Sequence, residues 1–225
     1  MDGRQALHHG PVAVHEVRVG AGRVSLEGTL SIPEHAPGIV LFAHGSGSSR
    51  HSPRNRYVAS VIQEAGMGTL LFDLLTREEE AVDDVTRHLR FDIGMLADRL
   101  VGAAEWVVSR EEMRAMRIGF IGSSTGGGAA LVAAAQIGDR VGAVVSRGGR
   151  PDLAGPALPR VTAPTLLVVG ASDYGVIELN KEALAELRCE KELYLVPNAT
   201  HLFEEPGTLE VAARVAAEWF ARHLA

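Results

Sequence analysis

The amino-acid sequence predicts an α/β protein: a mostly parallel central sheet, helices on both faces and an antiparallel hairpin at the N-terminal end. Three observations predict it. Six short runs between residues 39 and 196 are apolar on both faces and rich in β-branched side chains, as parallel strands covered from both sides must be. Segments of helical periodicity alternate with those runs, and that alternation builds a doubly wound sheet. Ahead of residue 39 the chain instead reads as two extended segments joined by Gly20-Ala21-Gly22, a turn suited to a hairpin.

Taken in order, residues 12–19 and 24–32 are the hairpin strands. Residues 39–43, 69–72, 118–121, 143–145, 165–169 and 193–196 are the buried strands, each short and apolar. Helices are expected over residues 56–64, 92–109, 125–136, 176–187 and 209–223. The second of these sets Ile93, Leu96, Leu100, Ala103, Ala104 and Val107 at three- and four-residue spacing, one apolar stripe. Only about twenty residues separate the 143–145 run from the next strand, too few for a lid domain. An open pocket for small substrates is therefore expected rather than a covered site for lipids.

A chain of 225 residues suits one domain spanning 1–225 that buries a full core. The net charge of −6 offers no basic excess to neutralise phosphates, so no nucleic-acid partner is expected. Cys189 stands alone, which fits a reducing compartment. The first residues lack the apolar core of a signal peptide, and no apolar run is long enough to span a bilayer. A soluble cytoplasmic protein with no membrane partner is the expectation. No Cys/His cluster has metal-site spacing, and His8-His9 is read as incidental, so neither metal nor cofactor is expected.

The chemistry is concentrated where the 118–121 strand runs through Gly122-Ser123-Ser124-Thr125-Gly126 into an Ala-rich helix. So tight a turn lifts the Ser124 hydroxyl clear of the sheet and leaves no room for a Cβ at 122 or 126. The helix behind it aims unpaired N–H groups at the same point. A nucleophilic serine needs a base, and the base an orienting carboxylate. Such groups gather at the carboxyl ends of the strands. His201 follows the last strand there, and Asp173 follows Gly170 at the end of the strand before it, with Asp152 as the competing carboxylate. The loop His44-Gly45-Ser46-Gly47 follows the first buried strand and can supply an oxyanion donor at Ser46, opposite the Thr125 N–H. It lacks the third glycine of a dinucleotide fingerprint and the Gly-Lys-Ser/Thr of a P-loop, which argues against a nucleotide cradle.

With these residues placed, the chain resembles the dienelactone-hydrolase-like branch of the α/β-hydrolases, in particular small bacterial members also found fused to phosphoribosyltransferases. The resemblance extends over nearly the whole chain. It includes Leu41-Phe42-Ala43-His44-Gly45-Ser46-Gly47-Ser48-Ser49-Arg50, Phe72-Asp73-Leu74-Leu75-Thr76, Val145-Ser146-Arg147-Gly148-Gly149-Arg150-Pro151-Asp152 and His201-Leu202-Phe203-Glu204-Glu205. It implies the α/β-hydrolase fold, with Ser124 as nucleophile, His201 as base and Asp173 as its orienter. Two departures stand out. True dienelactone hydrolases carry a cysteine nucleophile, so their lactone is not carried over, and Ser123 stands where an alanine would be expected.

Arginines recur in loops expected after strands: Arg50, Arg54, Arg87, Arg90, Arg147 and Arg150. A guanidinium fork binds carboxylate or phosphate through paired hydrogen bonds, so Arg147 or Arg150 could hold an anionic substrate. The alternative is loop scaffolding against neighbouring acids. The expected function is a serine hydrolase of small soluble carboxylic esters. Lactone, thioester or small-amide cleavage on the same residues is the alternative, as is a non-catalytic binding module.

Overall fold

The computed structural model describes residues 12–225, so His8-His9 and the start of the chain lie outside the described residues. The strands are β1 (Val14–Ala21), β2 (Val24–Ser31), β3 (Gly38–Ala43), β4 (Gly68–Phe72), β5 (Arg117–Ser124), β6 (Val141–Gly149), β7 (Thr165–Gly170) and β8 (Lys191–Val196). The helices are α1 (Pro53–Glu64), α2 (Arg77–Thr86), α3 (Ile93–Ser109), α4 (Thr125–Ile137), α5 (Tyr174–Glu186) and α6 (Thr208–Leu224). All eight strands join one sheet in the order β1-β2-β4-β3-β5-β6-β7-β8. The β1–β2 hairpin is antiparallel, and β2 meets β4 antiparallel. Every pairing from β4 to β8 is parallel. This is the α/β-hydrolase architecture.

The strands are apolar throughout because each face has its own core. Ile39 and Leu41 of β3 pack with Leu96 and Leu100 of α3 and with the alanines of α4. Val40 and Phe42, pointing the other way, pack with Val58 and Ile62 of α1 and Phe220 of α6. The helix α4 is buried nearly all round, which its run of Gly and Ala permits. The parallel pairing brings the carboxyl ends of β3, β5, β6, β7 and β8 to one rim, where their loops meet.

Three features differ from the expectation. Helix α1 begins at Pro53, ahead of residue 56, because Ser52 caps it and Pro53 occupies the first turn. Helix α2 was not expected, since Asp83 is its only buried residue and it shows no apolar stripe. It is started by a capping box, with Thr76 and Glu79 each bonding the other's backbone N–H. Strand β6 runs on to Gly149 rather than stopping at residue 145, so Arg147 lies within the sheet and not in the loop after it. The connection from β6 to β7 holds the 3-10 segment Pro151–Arg160, packed against α4 and α5.

Candidate active site

Strand β5 turns into helix α4 at Ser124, whose φ of 50° and ψ of −125° are held in a region that L-residues avoid. Such strain costs about 1–3 kcal/mol and persists where the surroundings over-determine it. They do so here. A Cβ on Gly122 would lie 2.1 Å from the Gly126 carbonyl oxygen, and one on Gly126 would lie 2.1 Å from that of Ala43. A Cβ on Gly45 would come within 3.0 Å of the Ser124 Cβ, so the loop after β3 passes directly against the serine. The Ser124 carbonyl accepts a hydrogen bond of 2.9 Å from the Arg150 N–H, tying the elbow to the end of β6.

Loops after β7 and β8 bring Asp173 and His201 together. Ser172 N–H donates to the Ala199 carbonyl at 2.9 Å, joining the two loops just short of those side chains. Asp173 Oδ2 then lies 2.7 Å from His201 Nδ1. That contact fixes the ring with Nε2 unpartnered among the described residues. The turn before His201 is clamped by Glu205, which accepts from Thr200 N–H at 3.0 Å and from its hydroxyl at 2.5 Å. Asp152 is engaged elsewhere: it takes a bidentate pair from Arg150, Nε at 2.8 Å and Nη2 at 2.7 Å. Of the two candidate carboxylates, Asp173 is the one that touches the histidine.

Ser124 and His201 line one cleft of about 230 Å³, walled by Ser46, Asn55, Arg147 and Phe203. The Ser46 N–H donates to the Thr125 side-chain oxygen at 3.2 Å. Both expected oxyanion positions are thus adjacent, and the Thr125 hydroxyl, which the sequence did not single out, links them. His44 lies half-buried behind this loop. Its Nε2 accepts from Leu74 N–H at 3.0 Å, so Nδ1 carries the proton and donates to the Gly45 carbonyl at 3.0 Å. Burial pushes its pKa down and keeps the ring neutral. His44 therefore fixes the loop to the end of β4. A smaller cavity of about 110 Å³, on the far side of the loop, is lined by His44, Asp73, Arg90 and Thr125 but reaches neither Ser124 nor His201.

The arginines divide sharply. Arg50 pairs with Asp73, Glu27 and Glu16, and Arg90 with the buried Asp83 at 2.5 Å. Arg54 reaches Glu204 at 3.3 Å. Arg87 caps α2 in a left-handed conformation. Arg150 is taken by Asp152, whose hydrogen bonds raise its pKa further. Arg147, 6% exposed, has no carboxylate partner among the described residues; its Nη2 donates to Asn55 Oδ1 at 2.7 Å. Burial, with repulsion from Arg54, lowers its pKa to about 10.

Among the described residues no group of His, Cys, Asp and Glu is arranged to hold a metal ion, and no helix is long and apolar enough to cross a membrane.

The dienelactone hydrolase family model matches residues 26–223. A putative phosphoribosyl transferase of Mycobacterium tuberculosis is 55% identical over 214 residues, 95% of this chain. The chain spans about half the length of that relative, 47%. The crystal structure of a dienelactone hydrolase from Anabaena variabilis is 59% identical, with a TM-score of 0.94, over 95% of this chain and 99% of that one. An esterase of Pyrococcus furiosus has a TM-score of 0.75 at 17% identity, over 95% of this chain and 92% of its own, a likeness of fold alone.

Proposed function

The chain belongs to the dienelactone hydrolase family, a family of hydrolases, and from that premise we propose that it cleaves small carboxylic esters through an acyl-enzyme on Ser124. The observation that carries the proposal is the 2.7 Å contact between Asp173 and His201, on a cleft that also holds a strained serine elbow. Asp173 orients the imidazole and stabilises the imidazolium that forms. His201 Nε2 takes the Ser124 proton as Oγ attacks the carbonyl carbon.

Negative charge then develops on the carbonyl oxygen, which the N–H groups of Thr125 and Ser46 receive. The Ser46 N–H turns from the Thr125 hydroxyl to do so. Each such donor is worth about 3 kcal/mol of barrier. Collapse of the tetrahedral intermediate breaks the bond to the alcohol, which leaves with the proton from His201. Water, deprotonated by the same imidazole, attacks the acyl-enzyme; the acid departs and Ser124 regains its proton.

A second reading, opening of a lactone on the same residues, is favoured by the 59% identical structure described as a dienelactone hydrolase. A lactone is an ester closed on itself, and the steps are unchanged. Thioester or small-amide cleavage on the same residues is the alternative to ester hydrolysis, and a soluble cytoplasmic setting is a further part of the proposal. The phosphoribosyl transferase name belongs to a protein of which this chain covers 47%, and we assign hydrolysis to the matching half.

p-Nitrophenyl esters of increasing acyl length test this. An initial burst of nitrophenol is expected, with kcat/KM highest for acetyl and butyryl and lower by about tenfold or more for dodecanoyl. Absence of turnover across esters, lactones and thioesters would overturn it.

A further inference from the structure

Resting on the serine-ester reading above, we propose that Arg147 is the binding site for an oxyanion substituent, carboxylate or phosphate, on the leaving-group half of the substrate. Arginine is almost never fully buried without an acid beside it, because an uncompensated desolvated charge costs the fold free energy. Arg147 breaks that rule at 6% exposure within β6. Its single acceptor among the described residues is a neutral amide, Asn55 Oδ1 at 2.7 Å, and Asn55 is itself only 5% exposed at the start of α1. The Phe203 ring covers one side of the guanidinium, 5.9 Å from its Cζ. All three residues line the cleft of Ser124 and His201.

The contrast within the same chain makes the point sharper. Arg50, Arg90 and Arg150 each have at least one carboxylate close by. A guanidinium carries five N–H donors in a planar fork, and one amide oxygen leaves most of them free for an acceptor from the cleft. Lowered to about 10, the group still carries its charge at neutral pH. Arg54 stands at the same cleft, and its one carboxylate among the described residues, Glu204 at 3.3 Å, has a side chain 64% exposed. Arg54 thus has one weakly held acid and Arg147 none among the described residues.

The placement follows from packing. A Cβ on Gly148, the residue after Arg147, would lie 3.0 Å from the His201 carbonyl oxygen and 3.1 Å from the Phe203 ring. The end of β6 therefore rests against the turn that presents His201. That imidazole must reach the departing oxygen, so the leaving group lies along the wall that Arg147 belongs to.

The test uses matched esters of one acyl group whose alcohol ends in a methyl ester, a carboxylate or a phosphate, with a reversed pair bearing the carboxylate on the acyl half. Wild type is expected to prefer an anionic alcohol. In Arg147→Met the ratio of kcat/KM, anionic over neutral alcohol, is expected to fall about 10- to 100-fold, chiefly through KM. Arg147→Lys should restore part of it. The Tm of the Met variant should hold or rise, since it loses an uncompensated charge. The alcohol with the larger ratio, carboxylate or phosphate, names the anion. Equal losses on neutral and anionic esters accompanied by a fall in Tm would show a structural arginine and overturn the proposal. So would a ratio that moves only for the acyl-half pair. Fluorophosphonate labelling of wild type separates the two readings: labelled protein with an unmoved ratio loses only the subsite, whereas unlabelled protein loses the hydrolase and the subsite together.

Discussion

Thr125 places two groups within reach of one small space: a backbone N–H next after Ser124, and a hydroxyl that accepts the Ser46 N–H at 3.2 Å. The hydroxyl aims the loop after β3 at the elbow. Thr125→Val removes the acceptor and leaves the Ser46 N–H unheld, so kcat should fall about tenfold with KM little changed. Thr125→Ser should recover most of the loss. Steady-state kinetics on acetyl esters check this, and a valine variant matching wild type would contradict it. Single residues were unequally legible in the sequence. Ser124, Asp173 and His201 could be proposed because they follow strand ends marked by glycines and loop residues, and the structure brings Asp173 to His201 and puts His201 on the cleft of Ser124. The Ser46–Thr125 link joins residues 79 positions apart through a side chain, and no local pattern announces it. Arg147 looked equivalent to Arg150 because where β6 ends decides which of them is buried, and a run of Ser-Arg-Gly-Gly does not mark that end.

At the scale of elements, the elbow works because a strand, a loop and a helix approach closer than a methyl group permits. Gly126→Ala would press a Cβ to 2.1 Å from the Ala43 carbonyl oxygen. A loss of about 1–3 kcal/mol in stability is expected, together with a larger loss of kcat as the serine shifts against its loop. Gly175→Ala is the control: nothing lies within 4 Å of its Cβ, and it sits in the first turn of α5. Stability there should hold or rise, by up to about 1 kcal/mol. Denaturant unfolding distinguishes the two, and equal stability for both variants would contradict the close-approach argument. Helix α3 was visible as an apolar stripe because it packs one face on the sheet. Helix α2 was invisible by that criterion. Its attachment is polar, through Asp83 to Arg90 and Glu79 to Arg99, and its only sequence signal was the Thr76/Glu79 capping pair.

Across the whole molecule, the alternation of doubly apolar strands with helices was enough to foresee the parallel sheet, because each such strand needs cover on both faces. Spatial strand order is a different matter. The neighbours of β3 are β4 and β5, and right-handed crossovers plus core matching select that order, which no single segment encodes. The sheet does one functional thing: it brings the carboxyl ends of β3, β5, β6, β7 and β8 to one rim, so that Ser46, Ser124, Arg147 and His201 share a cleft of about 230 Å³, with Asp173 against the histidine. The central claim is that Ser124 in this setting is a nucleophile activated by His201. Intact-mass measurement after treatment with a fluorophosphonate tests it most directly. Wild type should gain one adduct, mapped to Ser124, and folded Ser124→Ala should gain none, with His201→Ala slowed by about a thousandfold or more. An unmodified wild type, or an adduct that persists in Ser124→Ala, would contradict the account.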